Sequence, residues 1–131
     1  MAAFIVLFSM LTAGGVSVIA DSSRIVAAER HATAVSFEAA RAGAQAVDDS
    51  TVRAAGAVAL DPNAAHAAAT AAAGQLLIGS SATLTSVEII DDQVVVTITD
   101  RVDPWFPGLS NVTVTEAGRA RLAVGITEEG Q

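Results

Sequence analysis

Residues 1–47 read MAAFIVLFSMLTAGGVSVIADSSRIVAAERHATAVSFEAARAGAQAV, and the reading of this stretch decides the architecture. Met1 to Ala20 carries no charged residue. Phe4, Ile5, Val6, Leu7, Phe8, Met10, Leu11, Val16, Val18 and Ile19 supply its strongly apolar side chains. A bilayer core of about 30 Å takes roughly 20 apolar residues in a helix, so residues 1–20 read as the transmembrane segment of a first helix. Ser9, Thr12, Gly14, Gly15 and Ser17 interrupt it with small residues, which in lipid let a second helix approach closely. In water the two glycines would cost the helix roughly 1 kcal/mol each. Phe4, Leu7, Phe8, Leu11, Gly14 and Gly15 are therefore the candidate anchor and helix-packing residues. A cleaved signal peptide is the main competing reading, with Val18-Ile19-Ala20 before Asp21 as the cleavage site; a buried core helix is the third. Against cleavage, no positive charge precedes the apolar run, and the run exceeds the usual hydrophobic core of such peptides.

The helical pattern continues past Asp21. From Asp21 to Val47 there is no proline and one glycine, Gly43. Ile25, Ala28, Ala32, Val35, Ala39, Ala42 and Ala46 recur at alternating spacings of three and four, a narrow apolar seam drawn mostly in alanine. Arg24, His31 and Glu38 recur every seven residues on another face. Residues 21–47 thus read as the water-exposed amphipathic half of the same helix, which would be roughly 70 Å long at 1.5 Å per residue.

Residues 48–131 read as a small α+β head. Asp48-Asp49-Ser50 ends the long helix, and 50–53 form a short turn stopped by Gly56. Asp61-Pro62 is a helix start, with Asp as N-cap and Pro at the first position. The helix of 61–78 holds eight alanines between Ala64 and Ala73 and closes at Gly79. The period then becomes twofold. Strands are expected at 83–90 and 93–102, joined by an Asp91-Asp92 hairpin turn that pairs Ile89 with Val94, Val87 with Val96 and Thr85 with Ile98 on one face. A third strand spans 111–124, with a bulge at Ala117-Gly118. Sequential strands joined by short loops give a three-stranded antiparallel sheet with the helices on one face. A head this small is marginal alone and is expected to lean on the amphipathic half of the first helix. The loop Asp103-Pro104-Trp105-Phe106-Pro107-Gly108-Leu109 holds the one tryptophan; Trp105 and Phe106 read either as a contact site for a partner or, preferred here, as large residues folded under to cap the sheet.

Composition narrows the chemistry. The chain has 131 residues and a net charge of -7, with 52% hydrophobic and 4% aromatic residues. Alanine accounts for 29 residues, all seven basic residues are arginines, and cysteine is absent. That excludes disulfide scaffolds, thiol catalysis and cysteine–zinc sites. An acidic chain with scattered arginines is a poor nucleic-acid binder. His31 and His66 lie on separate helices, neither with a carboxylate or second histidine at metal-ligand spacing. Asp48-Asp49 and Asp91-Asp92 stand at element ends, where acids serve as turn and cap residues. Asn111-Val112-Thr113 matches a glycosylation sequon but reads simply as a strand start. No calcium loop, phosphate loop or nucleophile elbow is present. The expectation is a non-enzyme with no cofactor, no metal and no small-molecule substrate.

Asp21-Ser22-Ser23-Arg24 directly after an apolar helix, followed by Ala39-Ala40-Arg41-Ala42-Gly43-Ala44, resembles the TadE/TadG-like family, pilin-like proteins of the bacterial tight-adherence (Flp, type IVc) pilus system. Asp21, Arg24, Ala40, Arg41 and Gly43 carry the motif. Val58-Ala59-Leu60-Asp61-Pro62 with its alanine-rich helix, and the closing threonine- and valine-rich strands, are similar to actinobacterial members. The resemblance lies in the order of elements across nearly the whole chain. It implies a minor pilin or pseudopilin in the cytoplasmic membrane, single-pass, with its head outside the membrane or in a surface filament, and with other pilin or pilus-assembly proteins and membrane lipid as partners. Type IV pilins usually carry a basic leader, a glycine cleavage site and an early glutamate, and Met1-Ala2-Ala3-Phe4 has none of them. Either the start lies upstream or the protein inserts without prepilin-peptidase cleavage. Arg24 and Arg30 follow the apolar run and nothing basic precedes it, so the positive-inside rule alone would leave the head in the cytoplasm; the family resemblance implies the opposite side. The competing function is a secreted or surface binding module released from a signal peptide.

Overall fold

A stretch rich in alanine and free of internal proline sustains one helix, α1, over Ala2–Ala44. At 1.5 Å per residue its 43 residues span about 65 Å. The computed structural model describes the backbone of residues 2–46, 53–54 and 58–122, and the side chains of these residues except 2–8 and 10–18. The expected turn at 50–53 with its Gly56 stop falls largely outside the described residues, as does the polar tail; the last strand, expected over 111–124, spans Val112–Arg121 and has ended at Leu122. Helix α2 follows over Pro62–Leu76. Asp61 caps it: its Oδ1 accepts from the backbone N–H of Asn63 at 2.9 Å and of Ala64 at 3.1 Å. The Asp61 N–H in turn donates to the Ala46 carbonyl at 3.2 Å, which sets the start of α2 beside the end of α1.

Strands β1 (Thr83–Ile90), β2 (Gln93–Val102) and β3 (Val112–Arg121) form one antiparallel sheet in the order β1-β2-β3. The architecture is therefore α+β, two helices and a three-stranded antiparallel sheet. Asp91 takes a positive φ of 56° in the hairpin turn, a conformation that Asp tolerates better than most residues. Ile89 pairs with Val94 and Val87 with Val96, as the alternation predicts, but Ile98 pairs with Leu84 and not with Thr85. An irregularity between Leu84 and Ser86 sets Thr85 outside the ladder, and its hydroxyl lies 2.7 Å from that of Thr99 on the outer face. The bulge expected at Ala117-Gly118 is absent: β3 pairs with β2 continuously from Val112 to Arg121.

The inner face of the sheet is covered by α1, which lies along β3 and β2, and by α2, which packs on α1 and β1. Ala32, Val35, Ala39, Ala40 and Ala44 of α1 meet Ala65, Ala69 and Ala73 of α2 and Val94, Val96 and Ile98 of β2. Ala28 joins Val102 and Val114 in a smaller cluster nearer the start of the head. Among the described residues the largest fully buried side chains are Ile98, Val94, Val96 and Ser36. Burying each of the aliphatic three contributes about 1.5–3 kcal/mol, so a core this thin gains much of its cohesion from close approach.

That closeness is visible at two glycines. A Cβ at Gly118 would overlap the backbone of α1 at Ser36 and Phe37, so β3 touches the helix main chain there. Ser36 permits this because its hydroxyl donates back to the Thr33 carbonyl at 2.9 Å within its own helix. A Cβ at Gly43 would stand 2.9 Å from the Ala65 carbonyl oxygen and 3.0 Å from Val94 Cγ1, at the crossing of α1 over α2. Gly118→Ala therefore forces backbone apart and should lower stability by about 1–3 kcal/mol. Gly74→Ala, on an exposed turn of α2 with open space around it, should raise stability by about 0.5–1 kcal/mol. Urea denaturation of the two variants checks the opposite signs.

Candidate functional site

The motif residues Asp21 and Arg24 meet the aromatic loop. Asp21 is only 6% exposed, although it is the first charged residue after the apolar run. Its Oδ1 accepts from the Trp105 backbone N–H at 3.0 Å and its Oδ2 from the Phe106 N–H at 3.3 Å. One turn on, an Arg24 guanidinium nitrogen donates to the Asp103 carbonyl at 3.3 Å. These three bonds fasten residues 103–106 to the side of α1. The loop needs such partners because it makes no ladder bonds, and Pro104 and Pro107 have no N–H to contribute. Gly108 turns the chain back with φ 103°, where a side chain would be strained.

The aromatic side chains are not folded under the sheet, contrary to the preferred expectation. Trp105 is 81% exposed and Phe106 39%. The space beneath the sheet is already filled by α1, and the bonds to Asp21 hold the loop's backbone against the helix, with the rings outward. The sequence reading identified both the Asp21 motif and the aromatic loop but not their contact. The available signal was an acid at the start of a small head, opposite a proline-bracketed loop whose amide groups lack strand partners.

The other motif residues have structural duties. Ala40 is fully buried in the main core, and Gly43 is the α1–α2 crossing point. Arg41 is exposed and lies 3.9 Å from Glu38, one turn back, a pair worth little in water. The alanine seam is broader than the narrow stripe expected, since Ser36, Ala40, Gly43 and Ala44 are buried beside it. It is also occupied: Ala28, Ala32, Val35 and Ala39 are buried in the chain's own head. The seam is therefore not free to receive a helix from another chain.

One buried acid escaped the sequence reading. Asp100, on the inner face of β2, is 5% exposed and accepts from the Ser81 hydroxyl at 2.7 Å, which ties the end of the α2–β1 connection to the sheet. His31 and His66 are both exposed, on different helices. Among the described residues, no group of three or more histidines or carboxylates is placed to hold a metal ion. Also among the described residues, no helix is long and apolar enough to cross a membrane. Of the anchor residues Phe4, Leu7, Phe8, Leu11, Gly14 and Gly15, only the backbone is described, as part of α1. No protein-family model, curated protein or solved structure matches the chain.

Asp21→Ala removes both acceptors from two loop amides. A lost charge-assisted bond costs about 1–3 kcal/mol, and the expected consequence is local. Hydrogen exchange at Trp105 and Phe106 should quicken by at least about tenfold, while the amides of β2 between Val94 and Ile98 keep their protection. Unchanged exchange at the two loop amides would show that Asp21 does not hold the loop.

Proposed function

We propose that the protein is a structural, pilin-like component of an envelope assembly of the tight-adherence pilus kind, anchored in the cytoplasmic membrane by residues 1–20 with its head on the far side. The observation that carries this reading is the shape of α1. One unbroken helix contains the uncharged residues 2–20 and then, without a break at Asp21, serves as the spine of the head. A helix of about 65 Å is far longer than the head it supports, and its uncharged part matches the length needed for a bilayer core. The family resemblance at Asp21, Arg24, Ala40, Arg41 and Gly43 points the same way.

With the seam occupied, assembly with other helices falls to a different face. Ile19, Ser22, Ser23, Val26, Ala27 and Arg30 line a shallow, mostly apolar recess along α1. Gly15, Ile19, Ser22 and Val26 follow one another at spacings of four, three and four, a continuous stripe of small and aliphatic residues across the membrane boundary. This stripe, with Gly14 beside it, is the surface offered to other pilin helices.

The account requires that the protein stay with membranes under alkaline carbonate washing; release into the soluble fraction would refute the anchor. Gly14→Leu with Gly15→Leu should leave membrane retention intact and abolish co-assembly with partner pilins. Intact mass tests the alternative of a secreted binding module, for which the mature chain would begin at Asp21.

A further inference from the structure

The aromatic loop lies at a particular end of the head, and that position suggests what its exposed side chains meet. Helix α1 runs antiparallel to β2: Asp21 contacts the loop after Val102, Ala28 packs with Val102 and Val114, and Gly43 lies against Val94. The β2–β3 loop is therefore at the end where α1 leaves the head toward residues 2–20, and the hairpin turn at Asp91-Asp92 is at the opposite end. Helix α2 runs back toward the first end, so the turn after it also arrives there. Ser81 lines a small recess with Arg24, Arg101 and Asp103 and bonds Asp100 near the end of β2.

Large apolar side chains gather at this end, in exposed positions. Trp105 is 81% exposed, Ile78 81%, Ile19 69% and Leu109 53%, with Phe106 and Val112 also exposed. They come from three separate segments at the end where α1 leaves the head. The outer face of the sheet, by contrast, presents Thr97, Thr99, Thr113, Thr115 and Arg119. Ile90 at the opposite end and Phe37 on α1 are about half exposed, but the most exposed large apolar side chains, Trp105, Ile78 and Ile19, all lie at this end, and such a concentration calls for an apolar surface lying across it.

We propose that this rim is a membrane-interface foot: Trp105, Phe106 and Leu109, with Ile78, rest in the headgroup region of the bilayer that residues 1–20 enter. The proposal rests on the anchor reading above. Tryptophan suits the interface because its ring is apolar and its indole N–H still reaches water or headgroups. The bonds from Asp21 set the loop at the level of the first charged residue after the apolar run, where a helix would leave the hydrocarbon. Arg24 and Arg101 stand at that same level, so charge begins where the apolar rim ends. The foot would hold the head against the surface and limit its swing about α1.

The chain has one tryptophan and no tyrosine, so its fluorescence reports Trp105 alone. The test uses the full chain in vesicles of phosphatidylcholine and phosphatidylglycerol, washed with carbonate. The expected result is roughly a twofold loss of emission with lipids brominated near the headgroup, less with lipids brominated near the chain ends, and partial shielding from acrylamide in water. In a Trp105→Phe, Arg119→Trp variant the indole would sit on the outer face of the sheet, and the brominated lipids should leave it bright. Retention in the membrane without lipid quenching of Trp105 overturns the foot and leaves the anchor standing, including the case where a protein partner shields the ring from acrylamide. Equal quenching in the two proteins also overturns it. Loss of the chain on carbonate washing overturns the anchor and the foot together.

Discussion

With no side chain at Gly118, the main chain of β3 rests on the main chain of α1 at Ser36 and Phe37. The rest of the head depends on that approach. It fixes how near the helix lies to the sheet, and the nearness leaves room for little more than alanine between them: Ala32, Ala39, Ala40 and Ala44 on α1, Ala65, Ala69 and Ala73 on α2. Gly43 repeats the solution where the two helices cross. The high alanine content is thus a packing requirement as much as a helix preference. Packing gaps left by removing small side chains cannot be filled by flexible neighbours, because there are almost none in the core.

The same geometry assigns the faces of α1. Its inward face is spent on the chain's own sheet, so assembly with other helices is proposed for the stripe through Gly15, Ile19, Ser22 and Val26. Its first polar turn is spent on the β2–β3 loop through Asp21 and Arg24. The loop therefore cannot be considered apart from the helix. Asp21 and Arg24 thus determine where Trp105 and Phe106 lie.

The limits of β1 and β2 and the hairpin between them were legible in the sequence because β-branched alternation on both sides of Asp91-Asp92 leaves one sensible turn. The helical seam was legible from its spacing, but not its width: alanine, serine and glycine give no contrast by which a buried face can be told from a neutral one. Gly118 was visible as an interruption, yet a glycine in a strand signals either a bulge or a close approach, and the deciding partner, Ser36, lies far off in sequence. The irregularity fell instead at Thr85, where threonines on both strands leave register weakly specified. Trp105 and Phe106 were expected in the core on the argument that a head poor in large residues would bury those it has. They lie outside it because the sheet's inner face is already covered by α1 and α2, and because the Asp21 carboxylate holds the loop's backbone with the rings turned outward.

The central claim is that one rigid helix passes from the membrane into the core of the head. Hydrogen exchange along α1, measured on the full chain in lipid vesicles, addresses it most directly. The account predicts continuous slow exchange from Phe4 to Ala44, with Ile19 to Ser23 as protected as the residues on either side. Rapid exchange confined to Ile19–Ser23 would reveal a hinge between anchor and head, and rapid exchange throughout residues 2–20 would show that the apolar half of the helix is not in the bilayer; either result would contradict the claim.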